Sequence, residues 1–198
     1  PVRLPRIRSE RNPNDLHHDD LVGDRTNSLL GEIVHLEMKL MSDDLPRDPS
    51  KYIEKRLQTW ELILKKSGCE HSLRTRLLNI ITWQIRAVLT DDKGLWLLNS
   101  EHSQAESEAP YTGLINGQFQ DVVIDRTFIE GTSRWIVDYK TSVPDEREDE
   151  AEFIRKQIQQ HTPQLLKYSK ILAAQGISIR TALYLTALPK LVEIDLAC

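Results

Sequence analysis

Cysteine is scarce in this chain: Cys69 and Cys198 are the only two in 198 residues. A pair so far apart provides no disulfide framework and points to a reducing, cytosolic setting with two unpaired thiols. It also excludes a four-cysteine zinc or iron–sulfur centre. Long apolar runs are missing too. No stretch approaches the roughly 18–20 residues of a membrane span, and no signal-peptide pattern opens the chain. There is no internal repeat, and no GxxxxGK[ST] loop that would cradle the phosphates of ATP. An excess of basic charge is likewise absent. Twenty-six Lys and Arg stand against 30 Asp and Glu, a formal charge of −4, with a sequence pI near 5.9. A protein that grips nucleic acid by charge alone is strongly basic. Any nucleic acid here must be held by a local basic surface, by a metal or by neighbouring domains. Position 1 is Pro1 and not methionine, so the sequence reads as a piece of a longer protein.

What is present is a sequence of ordinary globular composition, 39% hydrophobic and 28% charged, long enough for one domain. Residues 1–24 are rich in Arg, Asn, Asp and Pro without a clean period, and read as an arm or linker. His17 and His18 in that arm have no frame that would make them ligands. Asn27 and Ser28 are good helix caps, and Leu29, Ile33, Leu36 and Leu40 then recur at helical spacing. A second helix is expected from about Ser50 to Lys66, with Ile53, Leu57, Trp60 and Leu64 inward and Ser67-Gly68 as its stop. A third is expected over about Ser72–Leu89, with Leu73, Leu77, Ile80, Ile81 and Val88 on its core side. The texture then changes to strands: Leu95–Leu98, Ser107–Thr112, Gln118–Ile129 and Arg134–Thr141. An acidic loop, Asp145–Glu152, precedes a long helix to about Gln175, within which Pro163 either interrupts or opens the second half. Gly176 ends it, and strands at Arg180–Thr186 and Leu191–Ile194 close the chain. The order suits an α/β or α+β domain, with a helical part at about 25–90 and a sheet-and-helix part at about 94–198.

The chemistry concentrates in Ile124-Asp125-Arg126 and Trp135-Ile136-Val137-Asp138-Tyr139-Lys140-Thr141. A two-residue turn at Gly131-Thr132 would set Phe128 opposite Trp135 and Asp125 opposite Asp138. Directly opposed side chains have Cβ atoms roughly 4.5–5.5 Å apart, and a slip of one residue would separate the carboxylates onto opposite faces. Two acids so close repel, and a hard divalent cation relieves them. Lys140, two residues beyond Asp138, shares its face of the strand. Two carboxylates, a cation and an ammonium form a set suited to phosphodiester hydrolysis. The plainer reading of Asp138 and Lys140 is a surface salt bridge, with Asp125 independent of both. A structural helical scaffold with an incidental hairpin would set the aspartates far apart.

These two segments resemble the core of the RecB-like nucleases, members of the PD-(D/E)XK superfamily that often close UvrD/Rep-type helicase–nucleases. Three further segments follow the family's order. Gly31-Glu32-Ile33-Val34-His35 is similar to its G-x-x-x-H helix, Glu108-Ala109-Pro110-Tyr111 to its E-x-P-[FY] strand, and Gln164-Leu165-Leu166-Lys167-Tyr168 to its Q-x-x-x-Y helix. Gln164 and Tyr168 lie four apart on one helix face. The likeness spans about Asn27 to Glu193, and it departs at Val122, where the family usually has a glycine three residues before the first aspartate.

The resemblance implies an α/β fold over residues 25–198, a restriction-endonuclease-like core whose central mixed sheet is flanked by helices, with an N-terminal helical part and with His35, Asp125 and Asp138 binding Mg²⁺ or Mn²⁺. Asp125, Asp138, Lys140, Gln164 and Tyr168 would be the catalytic set, with Glu108 in support. It implies a cytoplasmic deoxyribonuclease, an exonuclease in DNA repair or recombination, acting on single-stranded DNA ends delivered by a UvrD/Rep-type helicase in the same or a partner chain. The alternative is a nuclease-like module that binds DNA or a partner and has lost its chemistry.

Overall fold

The computed structural model describes residues 16–145, 147–173 and 176–196, with side chains from residue 25 onward. Four helices come first: α1 (Leu16–Asp43), α2 (Pro49–Lys66), α3 (His71–Thr90) and α4 (Asp92–Leu98). Then follow β1 (Ser103–Ile115), β2 (Gln118–Glu130), β3 (Ser133–Lys140), α5 (Glu150–Leu172), β4 (Ser178–Leu185) and β5 (Lys190–Ile194). The five strands form one mixed sheet in sequence order. Only β3 and β4 run parallel, joined by the α5 crossover, and the other neighbours are antiparallel. This is an α/β fold with helices on both faces of the sheet and a helical N-terminal part, consistent with a restriction-endonuclease-like core. No helix among the described residues is long and apolar enough to cross a membrane.

Alternation along β3 divides the interior in two. Trp135, Val137 and Tyr139 face α1–α4, joining Val34, Met38, Trp60, Leu77, Ile81 and Leu97 in one core. Ile136 points the other way, into a second core with Ile124, Leu183, Leu185 and Phe153, Leu165 and Leu172 of α5. By the same alternation Asp138 and Lys140 belong to the α5 side. The turn at Gly131-Thr132 has the expected even length: Phe128 pairs with Trp135 and Glu130 with Ser133, and Gly131 supplies the positive φ of 59°.

Several sequence expectations shift. The first helix begins at Leu16, so Asn27 and Ser28 lie inside it, and Ser28 Oγ bonds Glu32 one turn on. Pro13 is the last proline before it, and nothing from 16 to 26 except Gly23 disfavours a helix. Of the proposed arm, residues 1–15 lie outside the described residues, as do the side chains of His17 and His18. The buried stripe of α1 is Leu30, Ile33, Val34, Glu37, Met38 and Met41, while Leu36 and Leu40 are exposed. The difference turns on Glu37, a buried carboxylate in an apolar stripe. It is satisfied by Arg56 Nε and Nη2, at 3.0 and 2.6 Å, and by the Tyr52 hydroxyl at 2.6 Å. Leu57 of α2 is exposed as well.

The run Leu95–Leu98 is helical, not a strand. Asp91 caps α4 by accepting from Gly94 N–H at 2.8 Å. Buried Arg126 closes its other end, donating to the carbonyls of Leu97 and Asn99 at 2.9 and 2.7 Å. Gly94 is required there, because a Cβ would collide with the Val88 carbonyl and the Tyr184 hydroxyl. Helix α5 runs unbroken through Pro163. Pro163 and Gln159, whose carbonyl loses its helical partner to the proline, are both exposed, so water can replace the missing N–H.

Candidate metal centre

Strands β2 and β3 pair from their turn as far as Arg126 and Val137, and there the ladder stops. Beyond it β2 continues with β1 alone, while β3 continues with β4 to Lys140. The strands fork at Asp125 and Asp138, so these two residues are not the ladder pair the sequence predicts. The Asp125 side chain fills the gap: its Oδ2 accepts the Tyr139 N–H at 2.7 Å. A carboxylate thereby replaces a strand carbonyl, which fixes Asp125 against β3 at the mouth of the fork.

His35 enters from α1. Its Nε2 lies 3.1 Å from the Tyr139 carbonyl, an acceptor only, so this nitrogen carries the proton. Its Nδ1 then faces acids, 3.4 Å from Asp125 Oδ1 and 3.9 Å from Glu108 Oε1. Burial pulls the imidazole pKa down, but the bond to Asp125 and the charges of Asp125, Asp138 and Glu108 outweigh it and raise the value. A ring nitrogen aimed at two carboxylates, with the opposite N–H held by a backbone carbonyl, is how a metal-ligating histidine is oriented.

Glu108 reaches the group through an unusual backbone. It has φ of +50° in the middle of β1, between the pairs Ser107–Arg126 and Ala109–Ile124, and so sits across from Asp125. One ligand atom each from His35, Glu108 and Asp125 lies within 4.8 Å of the others. Burial, followed by the charge of Asp125, raises the Glu108 pKa.

Asp138 is beside this trio, not within it. Its Oδ2 is 2.7 Å from Lys140 Nζ. The contact is an ion pair without hydrogen-bond geometry at that oxygen, which is closed to solvent and otherwise has no partner. Burial and then the charge of Asp125 raise its pKa from the ordinary 3.8 to about 6, against a weaker pull from Lys140 and His35. The pair is buried, with side-chain exposures of 2% for Asp138 and 16% for Lys140, which removes the reading of an ordinary surface salt bridge. Lys140 Nζ also reaches Gln164 Oε1 at 3.5 Å, and Gln164 Nε2 donates to the Tyr168 hydroxyl.

The end of β3 is pinned from behind. Gln84 of α3 donates to the Thr141 carbonyl at 2.9 Å and accepts from Thr186 Oγ1 at 2.7 Å. Thr186 in turn donates its N–H to the Lys140 carbonyl at 2.9 Å.

A divalent cation fits this donor set. Three carboxylates against one ammonium carry a formal surplus of two negative charges. The carboxylate oxygens suit a hard cation such as Mg²⁺ or Mn²⁺, and the buried Asp138 Oδ2 has only the Lys140 ammonium beside it. The fold brings together His35, Glu108 and Asp125 on one side and Asp138, Lys140, Gln164 and Tyr168 on the other, and Asp125 and Asp138 feel each other's charge. Val122, where the resembled family usually has glycine, is buried in the α5 core that also contains Tyr168. The sequence reading missed Gln84, whose signal is a polar residue in the apolar stripe Leu77, Ile81, Val88. The backbone of Tyr139 carries no residue-type signal. Comparison of the sequence with known protein families and with curated proteins finds no match in either.

Proposed function

We propose that this chain is a RecB-like nuclease domain, a Mg²⁺- or Mn²⁺-dependent deoxyribonuclease that hydrolyses phosphodiester bonds. What supports the reading is one observation: a cation-suited group of His35, Glu108 and Asp125 lies beside a buried Asp138–Lys140 pair. His35, Glu108, Asp125 and Asp138 would hold the ion. When bound, it polarises a phosphoryl oxygen and makes a water molecule a better nucleophile. Lys140, with donor capacity beyond its contacts to Asp138 and Gln164, stabilises the negative charge that builds on the phosphorus oxygens. Gln164 steadies the Lys140 ammonium, and Tyr168 steadies Gln164. Single-stranded DNA ends are the proposed substrate, supplied in the cytoplasm by a UvrD/Rep-type helicase during repair or recombination, with exonucleolytic cutting.

The test is cleavage of labelled single-stranded and duplex DNA with Mg²⁺, with Mn²⁺ and with EDTA. The wild-type chain is expected to cut only with metal. Asp125→Ala, Asp138→Ala and Lys140→Ala should each lower the rate by a factor on the order of 100–1000 or more, with circular dichroism unchanged. Wild-type cleavage by Asp138→Ala would rule out this mechanism. DNA binding with no cutting under any ion would favour the silent module.

A further inference from the structure

Helix α5 carries a polar residue that neither the motifs nor the proposed chemistry uses. His161 lies three residues before Gln164, and Tyr168 follows four after, so all three share one face of the helix. That face meets the end of β3, because Gln164 Oε1 is 3.5 Å from Lys140 Nζ. His161 is half-buried, and neither ring nitrogen has a hydrogen-bond partner among the described residues. Its surroundings include the charge of Lys140, which acts on it directly. A half-buried imidazole with no partner among the described residues, one turn along from the Gln164 that reaches Lys140, has ring nitrogens open to a ligand at that site.

Resting on the nuclease reading of the site, we propose that His161 binds substrate, donating a ring N–H to a phosphate oxygen of the nucleotide next to the scissile bond. Burial first, and then Lys140, lower its pKa to about 4, so at physiological pH the ring is neutral. It therefore adds a directed donor and no second cation beside Lys140. His161 extends this α5 face by a turn from Gln164, outside the group that supports Lys140, so it acts in holding the strand and not in the chemical step.

Steady-state cleavage of a fluorescent single-stranded oligodeoxynucleotide by the full 198-residue chain, with Mg²⁺, tests this. His161→Leu keeps the packing volume and removes the donor; His161→Gln keeps an N–H. A hydrogen bond to a charged group contributes enough for about a tenfold change in affinity. His161→Leu should therefore raise KM about tenfold with kcat nearly unchanged, and His161→Gln should recover most of the loss. Thermal unfolding of both variants should match wild type. An unchanged KM in His161→Leu overturns the assignment, and so does equal impairment of the two variants, which marks a packing role. Wild-type protein that cuts no strand removes the nuclease reading and this assignment with it. Wild-type cutting with an indifferent His161→Leu removes the assignment alone.

Discussion

Glu108 combines two unfavourable features in one residue. Its φ of +50° is a conformation that costs a non-glycine residue about 1–3 kcal/mol. Its carboxylate is also set against Asp125, with burial and that charge both opposing ionisation. A fold would shed both features if the position were only structural, since asparagine tolerates positive φ and carries no charge. Glu108→Asn is accordingly expected to stabilise the metal-free protein by about 1 kcal/mol, which for a domain of this size is a rise of roughly 2–4 °C in Tm. The same change should weaken or abolish the stabilisation produced by Mg²⁺ or Mn²⁺. Thermal melts in EDTA and in saturating metal separate the two effects. A lower Tm in EDTA would mean that Glu108 holds the strand together, and an undiminished metal response would place the ion elsewhere.

At the scale of elements, the Glu37 carboxylate ties α1 to α2 through Arg56 and Tyr52. With Glu37 fully buried and Arg56 at 22% exposure, removing the guanidinium strands a charge in the interior. Arg56→Met should destabilise by about 3 kcal/mol, and combining Glu37→Leu, Arg56→Met and Tyr52→Phe should recover most of that loss. Urea denaturation measures both, and an additive, still weaker triple variant would contradict the account. The same carboxylate explains part of what sequence reading could reach. Helix α2 and the β2–β3 hairpin were legible because Ser67-Gly68 marks a helix stop and Gly131-Thr132 a turn. The face of α1 was not, because a period count rejects a stripe with Glu37 in it and selects Leu36 and Leu40. Leu95–Leu98 was too short an apolar run to separate a strand from the helix that Asp91 caps at its start and Arg126 closes from elsewhere in the chain. At the site, alternation along β3 was enough to associate Asp138 with Lys140. The fork at Asp125 was not readable, since it goes with a positive φ at Glu108 and a side chain that replaces a ladder bond.

For the molecule as a whole, the candidate ion would bridge α1, β1, β2 and β3, elements drawn from both sides of the helical-to-sheet transition, so its binding is linked to global stability. At a metal concentration about 100 times Kd the linkage amounts to about 2.7 kcal/mol, or roughly 5–10 °C in Tm for a domain of this length. The pH dependence follows from Asp138, whose folded pKa of about 6 exceeds its ordinary 3.8. Without metal the folded state binds this proton more tightly than the unfolded state. The group's contribution is then complete below about pH 4 and is lost as pH rises through 6. In EDTA, Asp138→Asn should consequently gain in Tm relative to wild type between pH 5 and pH 7.5, because the amide escapes the cost of a buried charge. With Mg²⁺ the order reverses. The ion needs Asp138 as the carboxylate and His35 as the neutral ring, so the metal-induced rise of wild type should shrink as pH falls from 7.5 to 5 and be absent or much reduced in Asp138→Asn at every pH. A metal-induced rise at pH 7.5 as large in Asp138→Asn as in wild type would show that the ion does not depend on Asp138. The centre would then be the His35, Glu108 and Asp125 trio, with the Asp138–Lys140 pair outside it.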